Sequence, residues 1–476
     1  MLFNSMQFAV FFLVVTTLYF AIPHKFRWFL LLASSCYFYM VFVPVYILIL
    51  GFTIVIDYFA GIFLEESKGK RRRLYLICSL IANIGVLAVF KYYNFINENL
   101  SILLHEFGIH NPVPFLSILL PIGLSFHTFQ AMSYTIEVYR GKQKAERNFG
   151  IYALYVMFYP QLVAGPIERP QNLLHQFREE HFFRHDEVVA GLKQMLWGLF
   201  KKIVIADRLA LVVNAVYNNA ESHSGSTVVL ATIFFAFQIY CDFSGYSEIA
   251  IGAARVMGFK LMTNFNRPYF SENIAEFWKR WHISLSTWFK DYLYISLGGN
   301  RVSKGRWYFN LLFVFLVSGL WHGANWNFII WGGLNGLYLV AAILFDPLFT
   351  RAQNLVPLLR KPFIRKPFNI GFTFVLACIA WVFFRANTFP QAMLILKKMS
   401  HPFNALTFTS ASTLLYAVLG LIVLLLVETR LEFFPNSFKI LNSPKPVVRY
   451  TGYAFLVVLI LMVGVFDGGQ FIYFQF

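Results

Sequence analysis

The chain has little charge. Asp, Glu, Lys and Arg make up 13% of its 476 residues, far below the roughly 25% expected of a soluble globular domain, so water cannot be its main solvent. Its four cysteines, Cys36, Cys78, Cys241 and Cys378, stand singly in apolar surroundings; this excludes a close-spaced zinc or redox motif and leaves buried structural thiols. No fixed-period repeat and no Gly/Ser linker divides the chain, and one membrane domain over 1–476 is expected. The sequence also lacks a Gly-x-Ser-x-Gly elbow, a phosphate-binding Gly-rich loop with Lys, and a dinucleotide fingerprint. It therefore offers bases without an obvious covalent nucleophile. No metal is expected: His105-Glu106 with His110 has one residue too many for the zinc-protease helix motif, and His175, His181 and His185 lie in polar sequence without a carboxylate–histidine design.

What is present is apolar. Hydrophobic residues make up 58% and aromatics 19% of the chain. Sparsely charged runs at Gln7–Pro23, Pro44–Leu64, Trp307–Leu320, Asn325–Phe345, Phe372–Phe384, Leu414–Val427 and Tyr453–Phe466 approach the ~20 residues a spanning helix needs. They predict an all-α polytopic bundle of about a dozen spans. Residues 1 to 6 contain no Lys or Arg, so the first run lacks the basic start of a secretory signal and is expected to remain as a span. Lys25 and Arg27 follow it, nothing basic lies near Pro44, and Lys68, Lys70, Arg71, Arg72 and Arg73 follow the third span. The positive-inside rule then puts the N-terminus outside and both clusters in the cytoplasm. Basic loops at Arg140–Arg147, Arg301–Arg306 and Arg360–Lys366 extend that face, so the net charge of +17 reflects topology and anionic lipid and needs no nucleic acid. Plain spans to about Tyr93 and from 346 onward flank a middle block, 94–345, that is richer in polar and aromatic residues.

Chemistry is expected in that block. In Ser318-Gly319-Leu320-Trp321-His322-Gly323-Ala324-Asn325-Trp326, His322 lies inside an apolar stretch, where an ionisable group is expensive and usually functional. It should be neutral there, because imidazolium loses more hydration than imidazole, and neutral imidazole can act as a general base; the plainer alternative is a hydrogen bond between helices. In the segment Asn273–Ser296, apolar positions recur at helical spacing, with Asn273 and Glu276 as a capping box. One amphipathic helix is expected, with His282 on the face of Trp278, Ser286 and Phe289 and with Lys279 and Arg280 turned to phosphates; taken alone such a stripe also reads as an interfacial anchor. A similar helix, at the membrane interface or lining a polar cavity, is expected over Glu187–Val216. Asp242 and Glu248, on either side of Ser244, place two carboxylates in an apolar helix, with Arg255 or Lys279 as partner, either for structure or to line a substrate cavity. The Pro and Gly breaks around Pro121-Ile122-Gly123 with His127, and around Gly165-Pro166, suggest an internal chamber.

Taken together, these motifs resemble the membrane-bound O-acyltransferase superfamily, most closely its bacterial alginate-O-acetylation branch. The matching stretches are the Pro121 and Gly165-Pro166 segments, Asp242-Phe243-Ser244-Gly245-Tyr246-Ser247, Glu276 to Ser284, Asp291-Tyr292-Leu293-Tyr294-Ile295 with Leu297-Gly298-Gly299-Asn300-Arg301, and Gly319 to Ala324. They run in the family's order over about residues 1 to 390. The resemblance implies a helical bundle around a tunnel, in the bacterial inner membrane. It implies transfer of acetyl from cytoplasmic acetyl-coenzyme A toward an extracytoplasmic polysaccharide, directly or through a periplasmic or membrane-anchored SGNH-type acetyltransferase partner. The family's essential histidine carries over to His322 and its second histidine to His282, while Trp321, Asn325, Asp242, Ser244, Arg280 and Trp281 are the substrate-binding candidates. D-alanyl transfer to teichoic acid and peptidoglycan O-acetylation are variants within the class. A proton-coupled permease using His322, Asp242 and Glu248, or a non-catalytic scaffold, are the alternatives from other classes.

Overall fold

The computed structural model describes residues 1–117, 121–163, 165–355, 361–403, 405–407, 410–434, 440–466 and 471. Arg360 of the third basic loop and Ala164 lie outside them. All regular structure among the described residues is helical. Seven of these helices are long and apolar enough to cross a membrane: Pro44–Glu66, Gly69–Glu106, Gly225–Val256, Trp326–Phe349, Pro362–Arg385, Ala411–Phe433 and Pro446–Val463. Met6–Ala21, His24–Met40, Leu124–Tyr139 and Lys304–His322, of 16 to 19 residues, add to the helical bundle. The chain divides into two compact units, Met1–Met195 with Tyr246–Met262 and Leu196–Gly245 with Thr263–Phe476.

In the first unit, the helix Ile47–Glu66 shows how the solvent is reversed. Leu48, Phe52, Val55, Phe59 and Phe63 form an exposed apolar stripe, while Thr53, Asp57 and Gly61 are turned inward. Apolar side chains meet lipid at no penalty, and the polar ones must find each other. The Asp57 carboxylate accepts from Ser79 at 2.6 Å and from Asn83 at 2.8 Å, and Thr53 pairs with His127 at 2.9 Å. The Pro121 and Gly165 segments meet: Gly123, at φ +77°, lies so close to the next segment that a Cβ there would be 2.8 Å from the Leu162 carbonyl oxygen.

The second unit contains both candidate histidines. Lys304–His322 and Trp326–Leu355 are joined by a short turn and pack nearly backbone to backbone. A Cβ on Gly319 would lie 2.2 Å from the Phe328 carbonyl oxygen, and one on Gly332 would lie 2.2 Å from that of Phe315. Glycine is required here by proximity, as in small-residue packing of membrane helices.

For the helix expected over Glu187–Val216, the burial of its central charges disfavours the interfacial alternative. The backbone is helical through His185–Leu199, a π-helical turn at Phe200–Ala206 and Asp207–Tyr217, but Lys201, Lys202 and Asp207 are buried. Lys202 pairs with Asp207 in the same segment and with Asp242 outside it, and the second partner is one that a linear reading of polarity could not anticipate. At the hairpin, Gly319→Val and Gly332→Val should sharply lower the folded yield and thermal midpoint in detergent, since overpacking alone costs about 1–3 kcal/mol and here the clash is with backbone. Gly333→Ala, whose Cβ would sit 3.6 Å from the nearest atom, a Leu316 methyl, should leave both unchanged.

Candidate active site

His322 is the last residue of its helix and is 4% exposed. Three aromatic rings meet its imidazole at steep angles: Trp321 at 4.9 Å, Trp331 at 4.9 Å and Phe384 at 5.3 Å between centroids. Because the hairpin packs so tightly, Trp331 on the returning helix comes back against His322. The Pro362–Arg385 helix supplies Phe384, and its end is tied to the hairpin by Asn327, whose amide donates to the Ala386 carbonyl at 2.8 Å. The Asn325 side chain accepts from the Asn327 N–H at 2.8 Å; its oxygen starts the returning helix, a common role for Asn before a helix.

The helix expected from Asn273 to Ser296 does not continue through its middle. Asn273 caps it as predicted, accepting from the Glu276 N–H at 2.9 Å, although the Glu276 carboxylate takes the N–H of Glu272. The helix then ends at Arg280, and a second one begins at Ile283. Between them His282 adopts φ +41° and ψ +56°, left-handed backbone that a non-glycine residue rarely takes and that tends to mark functional sites. The break turns His282 inward instead of along the stripe of Trp278 and Phe289. It is 1% exposed, edge-on to Phe243 at 4.6 Å, and 6.2 Å from Trp321. Trp321 thus touches both histidine rings. His282 lies outside the spanning helices, and burial pushes its imidazole down to about 3, so it is uncharged at neutral pH.

Other candidates are placed differently from expectation. Trp281 is 1% exposed, packed between Phe277 at 5.6 Å and Trp381 at 4.9 Å. Arg280, expected to meet phosphate, lies between carboxylates, at 2.6 Å from Glu276 and 2.8 Å from Glu432. Asp242 is paired with neither Arg255 nor Lys279. Its partner is Lys202, whose ammonium is 2.7 Å from Asp242 and 2.7 Å from Asp207, while Lys201 donates to Ser244 at 3.2 Å. Arg255 binds Glu187 at 2.6 Å, and Glu248 accepts from Gln194 at 2.5 Å. The sequence reading missed Trp331, Phe384, Asn264 and Asn327; only the aromatic density after His322 and at Trp381-Val382-Phe383-Phe384 pointed toward the first two.

A cleft of about 860 Å³ opens beside the hairpin. Along Lys304–His322 it is lined by Trp307, Leu311, Phe315 and Ser318, and across from them by Trp278, Lys279 and Lys290. Ser318 is one helical turn before His322. Trp278 is 5.6 Å from Trp331, the ring that touches His322, and its indole N–H is buried with no acceptor among the described residues.

A sequence model described as the membrane-bound O-acyltransferase family matches residues 143–385, a stretch that contains both histidines. A protein of Azotobacter vinelandii named probable alginate O-acetylase AlgI is 38% identical over 395 residues, covering 82% of this chain and 76% of its own. The peptidoglycan O-acetyltransferase of Helicobacter pylori is 35% identical over 398 residues, 78% of this chain and 73% of its own. The teichoic acid D-alanyltransferase of Streptococcus thermophilus is 32% identical over 236 residues, 46% of this chain and 56% of its own.

Replacing Lys202 by Met should leave Asp207 and Asp242 facing each other without their cation. Breaking a buried pair from one side costs about 3–5 kcal/mol, so the folded fraction in detergent should fall markedly, and adding Asp207→Asn and Asp242→Asn should recover much of it. A wild-type melting curve for Lys202→Met would show that the triad does not hold the fold.

Proposed function

From the premise that this chain belongs to the membrane-bound O-acyltransferase family, and is a multi-pass membrane O-acyltransferase, we propose that it moves acetyl from cytoplasmic acetyl-coenzyme A for O-acetylation of an extracytoplasmic polysaccharide. His322 is the general base. It takes the proton of an acceptor hydroxyl as the oxygen attacks the thioester carbonyl; the C–S bond then breaks, and the imidazolium returns its proton to the leaving thiolate. His282 orients donor or acceptor. Direct transfer of this kind needs no enzyme nucleophile. General-base help is typically worth about 10²- to 10⁴-fold, and holding both substrates in one site adds the proximity effect.

The observation that carries the reading is the buried His322 imidazole one helical turn beyond Ser318, where a cleft suited to the donor ends. The cleft follows its helix from Trp307 to Ser318, roughly 16 Å at ~1.5 Å per residue, which fits an extended pantetheine arm. That helix starts beside the basic loop assigned to the cytoplasmic face. Lys279 and Lys290 suit the coenzyme's phosphates, and the apolar wall suits its arm.

The polysaccharide acceptor is supported by relatives named for alginate and peptidoglycan acetylation. An SGNH-type acetyltransferase partner outside the bacterial inner membrane is the proposed route onward. Asp242, Ser244 and Arg280 are not assigned to substrate here, since each has a protein partner.

With purified protein in liposomes and labelled acetyl-coenzyme A, His322→Ala should reduce coenzyme A release by at least about 10²-fold while inserting normally. Near-normal release, or solute flux without any release, would contradict the enzymatic assignment. Trp278→Phe keeps the ring stack and removes the indole N–H. It should raise KM for acetyl-coenzyme A several-fold, on the order of one lost hydrogen bond, with kcat nearly unchanged; an unaltered KM would remove Trp278 from the donor site.

A further inference from the structure

The strained turn at His282 is held by one side chain from a separate segment. Asn264 receives the turn with both of its oxygens. Its main-chain carbonyl accepts from the Ile283 N–H at 2.8 Å. Its side-chain oxygen accepts from the Ser284 N–H at 3.2 Å and from the Ser284 hydroxyl at 2.9 Å. A backbone N–H can only donate, so the Asn264 atom facing it is the amide oxygen, and the usual ambiguity between amide oxygen and nitrogen is removed. That same oxygen is 3.1 Å from His282 Nδ1. Two lone pairs at this separation would repel, so Nδ1 carries the proton and donates it. The competing arrangement, with the Ser284 hydroxyl donating to Nδ1, has the longer separation of 3.5 Å.

We propose that Asn264 is a positioning residue that locks His282 in the tautomer with its proton on Nδ1 and leaves Nε2 as the ring's basic nitrogen. A neutral imidazole has one donor and one acceptor nitrogen, so binding one fixes what the other can do. With Nδ1–H given to Asn264, Nε2 acts as a hydrogen-bond or proton acceptor. It would thus receive an N–H or O–H from a substrate and would reject a ligand group that can only accept. The strained backbone supports this assignment: at φ +41° the turn is energetically costly, and the bonds from Ile283, Ser284 and His282 to Asn264 offset that cost.

The catalytic consequence rests on the function proposed above, whereas the tautomer does not. The direct test is solid-state NMR of wild-type protein in bilayers at neutral pH, with ¹³C,¹⁵N-labelled histidine and the His282 signals identified by their loss in His282→Gln. The unprotonated nitrogen should correlate with Cδ2, which marks it as Nε2; correlation with Cγ would overturn the proposal whatever the enzyme's activity. Asn264→Asp keeps an acceptor and should keep the tautomer. Asn264→Leu should lose it and lower kcat roughly 10- to 100-fold, as removal of an outer partner of a functional histidine does, with KM for acetyl-coenzyme A little changed. A folded Asn264→Leu protein with wild-type tautomer and kcat would also overturn it. Ser284→Ala, which leaves the bond to His282 in place, should preserve the tautomer, and its loss there would assign the effect to the turn and refute the role given to Asn264.

Discussion

The candidate site depends on how closely two helices can approach. The Lys304–His322 and Trp326–Leu355 helices touch where Gly319 and Gly332 leave no room for a Cβ. In lipid, where no hydrophobic effect draws helices together, such contact supplies the packing energy. It also sets geometry. Because the hairpin closes immediately after His322, Trp331 returns to the imidazole at 4.9 Å, and Phe384 closes another side at 5.3 Å. The imidazole therefore sits buried among aromatic rings.

The second constraint is the demand that buried polar groups be satisfied. Several polar side chains inside the bundle are spent on one another: Asp57 on Ser79 and Asn83, Lys202 on Asp207 and Asp242, Tyr240 on Glu428 at 2.5 Å. His282, like Arg267, adopts a left-handed backbone. The bonds that Ile283, Ser284 and His282 make to Asn264 offset its energy.

Much of this was legible in the sequence, and its limits are physical. Sparse charge and long apolar runs announced a helical membrane protein, since the bilayer acts on composition directly. Gly319 and Gly323 flank His322 as small residues of the kind that let membrane helices approach closely, and Asn273 with Glu276 marked a helix start. The break at His282 was not legible: the apolar periodicity of Phe277, Trp281 and Leu285 runs through it, and the partner that stabilises it, Asn264, is distant in sequence. Ion pairs failed for a similar reason. Asp242 was matched to cations nearby in sequence or on a polar stripe, whereas its true partner sits in a π-helical turn at Phe200–Ala206, where the register of side chains departs from the α-helical one. Arg280 looked like a phosphate ligand because Glu432, one of its two carboxylate partners, belongs to a far C-terminal helix.

The central claim is that an acyl donor reaches His322 along the cleft beside its helix. Its most direct measurement is a cryo-electron microscopy structure of the reconstituted protein with a non-hydrolysable thioether analogue of acetyl-coenzyme A. The account predicts the pantetheine arm lying between Trp307 and Ser318, with the acyl carbon beside the His322 imidazole. An analogue bound with its acyl group remote from His322, and with Trp331 still sealing that residue off, would contradict it.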